Sequence, residues 1–396
     1  MRQTRVDEWS ALGEDTFRKL RVNSPAGGWF PALQELTWTI TESSLPYADL
    51  FFSPQLKKVF IYMSWLWCSH DTPCDILPSI ASTISALPAS TLQLLVMGVD
   101  DRMVPWGYFK DSLSSVVLRC GPSLTEFTSP VPLSDVAINH LIHLPYLRTW
   151  RVEGPSPTYS TPSPPLSFPP ITEFTLGEGA AHGWLSLFRH LEDSVSTPRG
   201  VTPLSRMKES LNSLNARNLS GSMIDVSFTS SIQIFRGLAV LNIEVYCHDE
   251  DDEGQCIFRL TNDDVSELAM ELPHLNSLTL GHPCFENICA TTVACLLSIS
   301  VHCTKLWRLE IHFNTTNIVD DLKSVSEDPQ FQKLHTLPKC ALSHWIVHRT
   351  PLTLDEPGLG TVVNGMIDVF PSLEYCQGLD DVWDDISSRI ADLRGI

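Results

Sequence analysis

The chain has 396 residues, 43% of them hydrophobic and 18% charged, so it holds material for a long buried core and lacks the composition of a disordered segment. A formal net charge of −19 argues against docking on a nucleic-acid backbone, which needs a basic footprint. An acidic surface of this kind suits basic partners or plain solubility.

Eleven cysteines, odd in number and irregularly spaced, do not read as a disulfide framework and are expected to be reduced thiols. Met1-Arg2-Gln3-Thr4-Arg5-Val6-Asp7-Glu8-Trp9 carries charge where an export signal would be apolar. The uncharged stretch 76–99 is interrupted by prolines and serines, and 288–303 is too short to span a bilayer. An intracellular chain, in cytoplasm or nucleus, is therefore expected.

Residues 7–20 have helical spacing, with Trp9, Leu12, Phe17 and Leu20 along one side, and belong to an N-terminal helical cap over 1–29. Gly27-Gly28 ends it, and Phe30-Pro31 opens a series of short alternating segments. Strands are predicted around 36–40, 59–63, 94–98, 124–127, 149–152, 173–176, 241–245, 277–280 and 309–313, with weaker units at 345–347 and 373–375. Helices are predicted between them: 75–84 with Asp75 as N-cap, 134–142, 261–269, 290–301, 320–325 and 360–370. The clearest start is Thr261-Asn262-Asp263-Asp264, where a capping residue and first-turn carboxylates precede an apolar stripe.

Two segments read as loops. Residues 153–170 hold seven prolines between Pro155 and Pro170, which no helix or sheet tolerates. Ser156-Pro157, Thr161-Pro162 and Ser163-Pro164 in it are either acceptors for proline-directed phosphorylation or parts of a plain spacer. His248-Asp249-Glu250-Asp251-Asp252-Glu253-Gly254 lacks the ligand order of a calcium loop and reads as a solvated connection. Residues 191–221 break the rhythm as a helical interruption, with a helix starting near Thr202-Pro203. They divide a first half, 30–190, from a second half, 222–376, and 377–396 forms a C-terminal helical cap.

Five strand segments rhyme: Pro31-Ala32-Leu33-Gln34-Glu35-Leu36-Thr37-Trp38, Pro54-Gln55-Leu56-Lys57-Lys58-Val59-Phe60-Ile61, Pro145-Tyr146-Leu147-Arg148-Thr149-Trp150-Arg151-Val152, Pro273-His274-Leu275-Asn276-Ser277-Leu278-Thr279-Leu280 and Cys303-Thr304-Lys305-Leu306-Trp307-Arg308-Leu309-Glu310-Ile311. Each sets a leucine just after a Pro or Cys, then two variable residues, an apolar one, a variable one and another apolar one. This is the strand half of a leucine-rich repeat, a unit that buries its apolar edge only by stacking on copies of itself. The expected fold is α/β: a leucine-rich-repeat solenoid, an irregular horseshoe with a parallel concave β-sheet and outer helices. Successive strand leucines lie from 23 residues apart (Leu33 to Leu56) to 37 (Leu238 to Leu275), so the longer units must bulge outward.

No catalytic signature stands out. The chain lacks a phosphate-binding loop ending in Lys-Ser/Thr, a His-Glu-x-x-His helix and a Gly-x-Ser-x-Gly elbow. Gly358-Leu359-Gly360-Thr361 is too short for a dinucleotide fingerprint. His282, Cys284, Cys289, Cys295, His302 and Cys303 offer zinc-type donors without the paired Cys spacing of a structural site, so no metal or cofactor is expected. Recognition is more informative. On the predicted concave side the outward strand positions include Thr37, Thr39, Phe60, Tyr62, Arg151, Glu153, Glu244, Tyr246, Glu310 and His312. Aromatic residues and arginine dominate binding energy at protein interfaces, so Phe60, Tyr62, Arg151, Glu244, Tyr246, Glu310 and His312 form the candidate partner-binding set. The competing reading of Phe60 and Tyr62 is that Trp65-Leu66-Trp67 or the N-terminal helix covers them.

With these units in place the chain resembles the repeat portion of fungal F-box/leucine-rich-repeat proteins, over roughly residues 15–376. The residues that carry the likeness are the Pro-x-Leu units, the Cys303 variant and the opening from Phe17-Arg18-Lys19-Leu20 to Leu36. In that family an N-terminal F-box docks on a Skp-type adaptor and the repeats present a substrate to a cullin-based ubiquitin ligase. The resemblance thus implies a protein substrate on the concave sheet and no catalysis. The residues before Phe30 hold no Leu-Pro-rich F-box helix, so a Skp-type adaptor is expected only if an F-box lies upstream of Met1.

Overall fold

The structure, a computed structural model, describes residues 3–5, 14–25, 29–40, 45–63, 77–99, 109–152, 168–177, 180–194, 204–216, 226–244, 259–281, 290–327, 340–347, 352–378 and 380–395. It divides into two compact units: Met1–Ala180 with Val195–Met207, and Ala181–Ser194 with Lys208–Ile396.

Unit 1 runs β1 (Gln3–Arg5), α1 (Glu14–Val22), β2 (Glu35–Ile40), a 3-10 helix at Leu45–Phe51, β3 (Lys58–Met63), α2 (Leu77–Ser85), β4 (Leu94–Val99), α3 (Lys110–Arg119), β5 (Glu126–Thr128), α4 (Asp135–Ile142), β6 (Thr149–Val152) and β7 (Glu173–Leu176). Every strand pairs in parallel with the next in sequence. Unit 2 opens with α5 (Ala181–Ser194), and α6 (Ser205–Ser210) falls across the division. It continues with β8 (Ser213–Ala216), α7 (Val226–Ile232), β9 (Val240–Glu244), α8 (Asn262–Glu271), β10 (Ser277–Gly281), α9 (Cys295–His302), β11 (Arg308–Ile311), α10 (Ile318–Glu327), β12 (His344–Val347), α11 (Glu356–Val369), β13 (Tyr375–Gln377) and α12 (Asp381–Arg394). Here too the strands pair in parallel and in sequence order.

Two main-chain devices make the units repeat. The corner leucines Leu33, Leu56, Leu92, Leu124 and Leu147 of unit 1, and Leu238, Leu275, Leu306 and Leu373 of unit 2, donate their N–H to the carbonyl three residues back, at 3.0–3.5 Å. All nine are fully buried. The residue after the leucine that leads into a strand then offers one carbonyl to two consecutive N–H groups at the start of the next strand, in ten places. The Gln34 carbonyl accepts from Lys57 at 2.8 Å and Lys58 at 3.0 Å, and the pattern recurs at Lys57, Gln93, Thr125 and Arg148. In unit 2 it recurs at Asn212, Ala239, Asn276, Trp307 and Ser343. Each repeat thereby satisfies backbone groups that its neighbour would otherwise bury unpaired.

Small polar side chains reinforce the corners. Thr91 Oγ1 donates to the Leu56 carbonyl at 2.7 Å and Ser123 Oγ to the Leu92 carbonyl at 3.0 Å. The Cys340 thiol stands in the same role, 3.5 Å from the Leu306 carbonyl and 3.2 Å from that of Cys303. Burial pushes the Cys340 thiol up to about 11 and, with a smaller contribution from Cys340, that of Cys303 up to about 12. Both stay protonated and act as donors instead of nucleophiles.

Alternation along the strands sends one set of side chains into the core. In unit 1 the register aligns Leu36, Val59, Leu95, Phe127, Trp150 and Phe174; in unit 2 it aligns Leu214, Leu241, Leu278, Leu309, Trp345 and Cys376. None exceeds 1% exposure, and aromatic pairs such as Trp150–Phe174 (5.6 Å) and Phe313–Trp345 (5.6 Å) fill the layer behind the sheet. Helix starts follow local chemistry. Thr261 and Asp264 form a complete capping box at α8, Ser134 accepts from the Ala137 N–H at α4, and Asp355 accepts from the Gly358 N–H at α11.

Several expectations need correction. The N-terminal cap holds a strand, β1, ahead of its helix, and of the helix expected over 7–20 the part before Glu14 lies outside the described residues. The 191–221 interruption is not purely helical: β8 lies inside it and pairs with β9. Helices α3, α5 and α7 were not foreseen. The loops 153–167 and 248–254, with Glu153 and Tyr246, lie outside the described residues, as do Asp75, Trp9, Leu12 and the Trp65-Leu66-Trp67 segment.

Candidate recognition surface

The strand positions that do not enter the core form an open sheet face in each unit. In unit 1 one register row reads Thr37, Phe60, Val96, Thr128, Arg151 and Thr175, and the next reads Thr39, Tyr62 and Gly98. Phe60 and Arg151 are half-buried, and Tyr62 is 42% exposed. The glycine matters, because a Cβ at position 98 would come within 2.8 Å of Tyr62 Cδ1. The tyrosine ring therefore covers the bare backbone of its cross-strand partner.

The same face carries charge. Glu35 and Lys58 approach to 4.0 Å across β2 and β3. Glu126 is held above the ordinary carboxylate range, mainly by burial and then by repulsion from Glu173, with Lys58 partly offsetting both.

In unit 2 the corresponding row reads Asn215, Asn242, Thr279, Glu310, Ile346 and Gln377. Arg308 meets Glu310 at 3.1 Å, and the Asn242 amide donates to Glu244 at 2.8 Å. Three aromatic rings follow one another at the leading ends of β11, β12 and β13, with Trp307 one residue ahead of β11. Trp307 stands edge-on to His344 (5.8 Å, 83°), and His344 lies 6.0 Å from Tyr375. Trp307 is 46% exposed and Tyr375 42%. Ser343 fixes the middle ring. Its hydroxyl lies 3.3 Å from the Trp307 carbonyl and shares a hydrogen bond with His344 Nδ1 at 2.8 Å.

Of the seven candidate residues, Phe60, Tyr62 and Arg151 share the open face of unit 1, and Glu244 and Glu310 share that of unit 2. Tyr246 lies outside the described residues. His312 is a correction: it is 1% exposed and belongs to the interior. Strand β11 ends at Ile311, so the alternation that would have turned His312 outward stops there, and Phe313 is buried beside it. The His312 N–H bonds the Leu280 carbonyl at 3.1 Å, and its Cβ approaches Gly281, whose φ of +116° suits a residue without a side chain.

Sequence reasoning missed Trp307, His344 and Tyr375. The signal was present in the variable positions of Leu306-Trp307-Arg308-Leu309, Ser343-His344-Trp345 and Leu373-Glu374-Tyr375-Cys376, but only the register, which pairs His344 with Tyr375 and with Arg308 next to Trp307, brings the three together.

Among the described residues no three or more His, Cys, Asp or Glu side chains gather as a metal-holding group. Of the zinc-type donors, His282, Cys284 and Cys289 lie outside those residues, and Cys295 and Cys303 are buried. An open cleft of about 350 Å³ borders the start of α10, lined by Thr315, Asn317, Asp320, Leu352 and Leu354 among others. No helix among the described residues is long and apolar enough to cross a membrane.

The fold defines an α/β protein of repeated strand-and-helix units, each unit presenting one open face of a parallel sheet. The chain matches no protein-family model and no curated protein.

Proposed function

We propose that this chain is a protein-recognition scaffold, a leucine-rich-repeat solenoid whose open sheet face docks a protein partner, and that it serves substrate recognition in an F-box, ubiquitin-ligase-like setting. The observation that carries the docking part is the set of large aromatic side chains left exposed on the strands or immediately before one: Tyr62 in unit 1, Trp307 and Tyr375 in unit 2. All three keep two-fifths or more of their surface in solvent, and aromatic side chains are enriched among the anchors of protein interfaces. The ligase setting rests on the resemblance of the Pro-x-Leu units alone, and a Skp-type adaptor enters only through an F-box upstream of Met1. The role is binding, without catalysis.

A native pull-down with the tagged chain tests this reading. A stoichiometric partner is expected, lost when Phe60 and Tyr62, or Trp307 and Tyr375, are replaced by alanine, and retained when the exposed helical Leu118 of α3 is replaced. Repeated absence of a partner, or one indifferent to all these changes, favours the other reading, a degenerate structural repeat protein with no ligase link.

A further inference from the structure

The aromatic ladder of unit 2 points to the chemistry of its occupant, an inference that rests on the recognition reading above. The ring faces of Trp and Tyr attract cations. The end of unit 2 that the ladder approaches is strongly acidic: residues 352–395 hold nine carboxylate side chains against two arginines. One of those arginines, Arg389, is engaged by Glu356 at 2.8 Å. Glu374 stands next to Tyr375, and Asp380, Asp381, Asp384 and Asp385 follow β13 into the start of α12, all exposed. On the face itself Arg308 is already held by Glu310 at 3.1 Å.

Aromatic faces alone would accept apolar or cationic groups, and carboxylates alone would serve solubility. Only a cation gains from both. We propose that the Trp307–His344–Tyr375 ladder docks a basic segment of a protein partner, with an arginine or lysine side chain against the rings and further basic residues over Glu374 and the carboxylates of 380–385. The ladder is ordered in advance, since Ser343 holds the middle ring, so little rotamer freedom is lost on docking.

The test titrates a peptide of alternating arginine and glycine into the full chain, followed by tryptophan fluorescence and calorimetry. Saturable binding is expected, weakened about five- to tenfold by Trp307→Ala or by Tyr375→Ala. It should also weaken as salt rises and on Asp384→Asn with Asp385→Asn. Tyr146→Ala, an exposed aromatic of unit 1, should leave binding unchanged, and a glutamate–glycine peptide of equal length should not bind. The two ladder variants lie on separate repeats, and a thermal melt of each identifies any that has unfolded. No binding of the arginine peptide, equal binding of the acidic one, or binding indifferent to both ladder variants overturns the proposal. If a native partner needs Trp307 yet ignores the arginine peptide, the basic occupant is wrong and the recognition reading stands. If no native partner is found either, both fall.

Discussion

The ring of Tyr62 lies in the space that a side chain at Gly98 would fill: the two residues are register partners on β3 and β4, and a Cβ at 98 would meet Cδ1 at 2.8 Å and Cε1 at 3.0 Å. The pose of an exposed aromatic is thus set by a missing neighbour. Gly98→Val is expected to destabilise the parent chain, because the ring must move. In a Tyr62→Ala background it should stabilise, because valine then adds strand propensity with nothing to displace. The coupling should be about 0.5–1 kcal/mol by urea denaturation of the four proteins. Equal effects of Gly98→Val in both backgrounds would show that the ring does not depend on the glycine.

The corner hydrogen bonds make a second prediction. Thr91→Val keeps the shape of the side chain and removes the 2.7 Å donation to the Leu56 carbonyl. It should cost about 1 kcal/mol in chemical denaturation, as should Ser123→Ala at the next corner. A change within error at both sites would mean the main-chain bonds alone hold the corner.

Thr261→Ala removes one arm of the capping box at α8, where the Thr261 N–H also donates to Asp264 at 2.8 Å. A loss of about 1 kcal/mol is expected, with Thr261→Ser restoring most of it. Thermal melts of the two variants check this directly, and a serine variant no better than alanine would count against the cap.

Glu126 gives a pH dependence of definite sign. Its carboxyl is raised in the folded chain, mainly by burial and then by Glu173, so the folded state holds this proton more tightly than the unfolded one does. Stability from this group is lost as pH climbs through the window between the ordinary carboxylate value and the raised one. Glu126→Gln should therefore raise the melting temperature at pH 7 and leave it nearly unchanged at pH 4. A gain that is the same at both pH values would locate the effect elsewhere.

Much of the fold was legible because two signals coincide in most repeats: alternation along the strand and a corner leucine before it. The segments 149–152 and 173–176 match β6 and β7 residue for residue. Gln3-Thr4-Arg5 carries no apolar residue, and it becomes a strand only by pairing with β2. Ser213-Leu214-Asn215-Ala216 offers just Leu214 and Ala216 to the core and has no β-branched residue, so tertiary pairing decides it. Helix α3 was hidden by Val116-Val117, which reads as strand locally although both pack inward from a helix. The candidate surface was only half legible. Phe60 and Tyr62 sit in a strong repeat and could be placed from alternation. The ladder of Trp307, His344 and Tyr375 joins residues more than thirty positions apart, and a one-dimensional pattern does not show that they touch. His312 failed for the opposite reason, since alternation was carried one residue past the end of its strand.

The shared-carbonyl corner has a consequence for how such a chain tolerates change. Because each strand is indexed to its neighbour at its leading end, the stretch that leaves a strand and returns to the next corner can lengthen, as it does between Leu33–Leu56 and Leu238–Leu275, without shifting the ladder of paired residues. Grafted epitopes, tags or natural expansions placed in those return paths would grow on the far margin, while side chains on adjacent strands keep their spacing of about 4.8 Å.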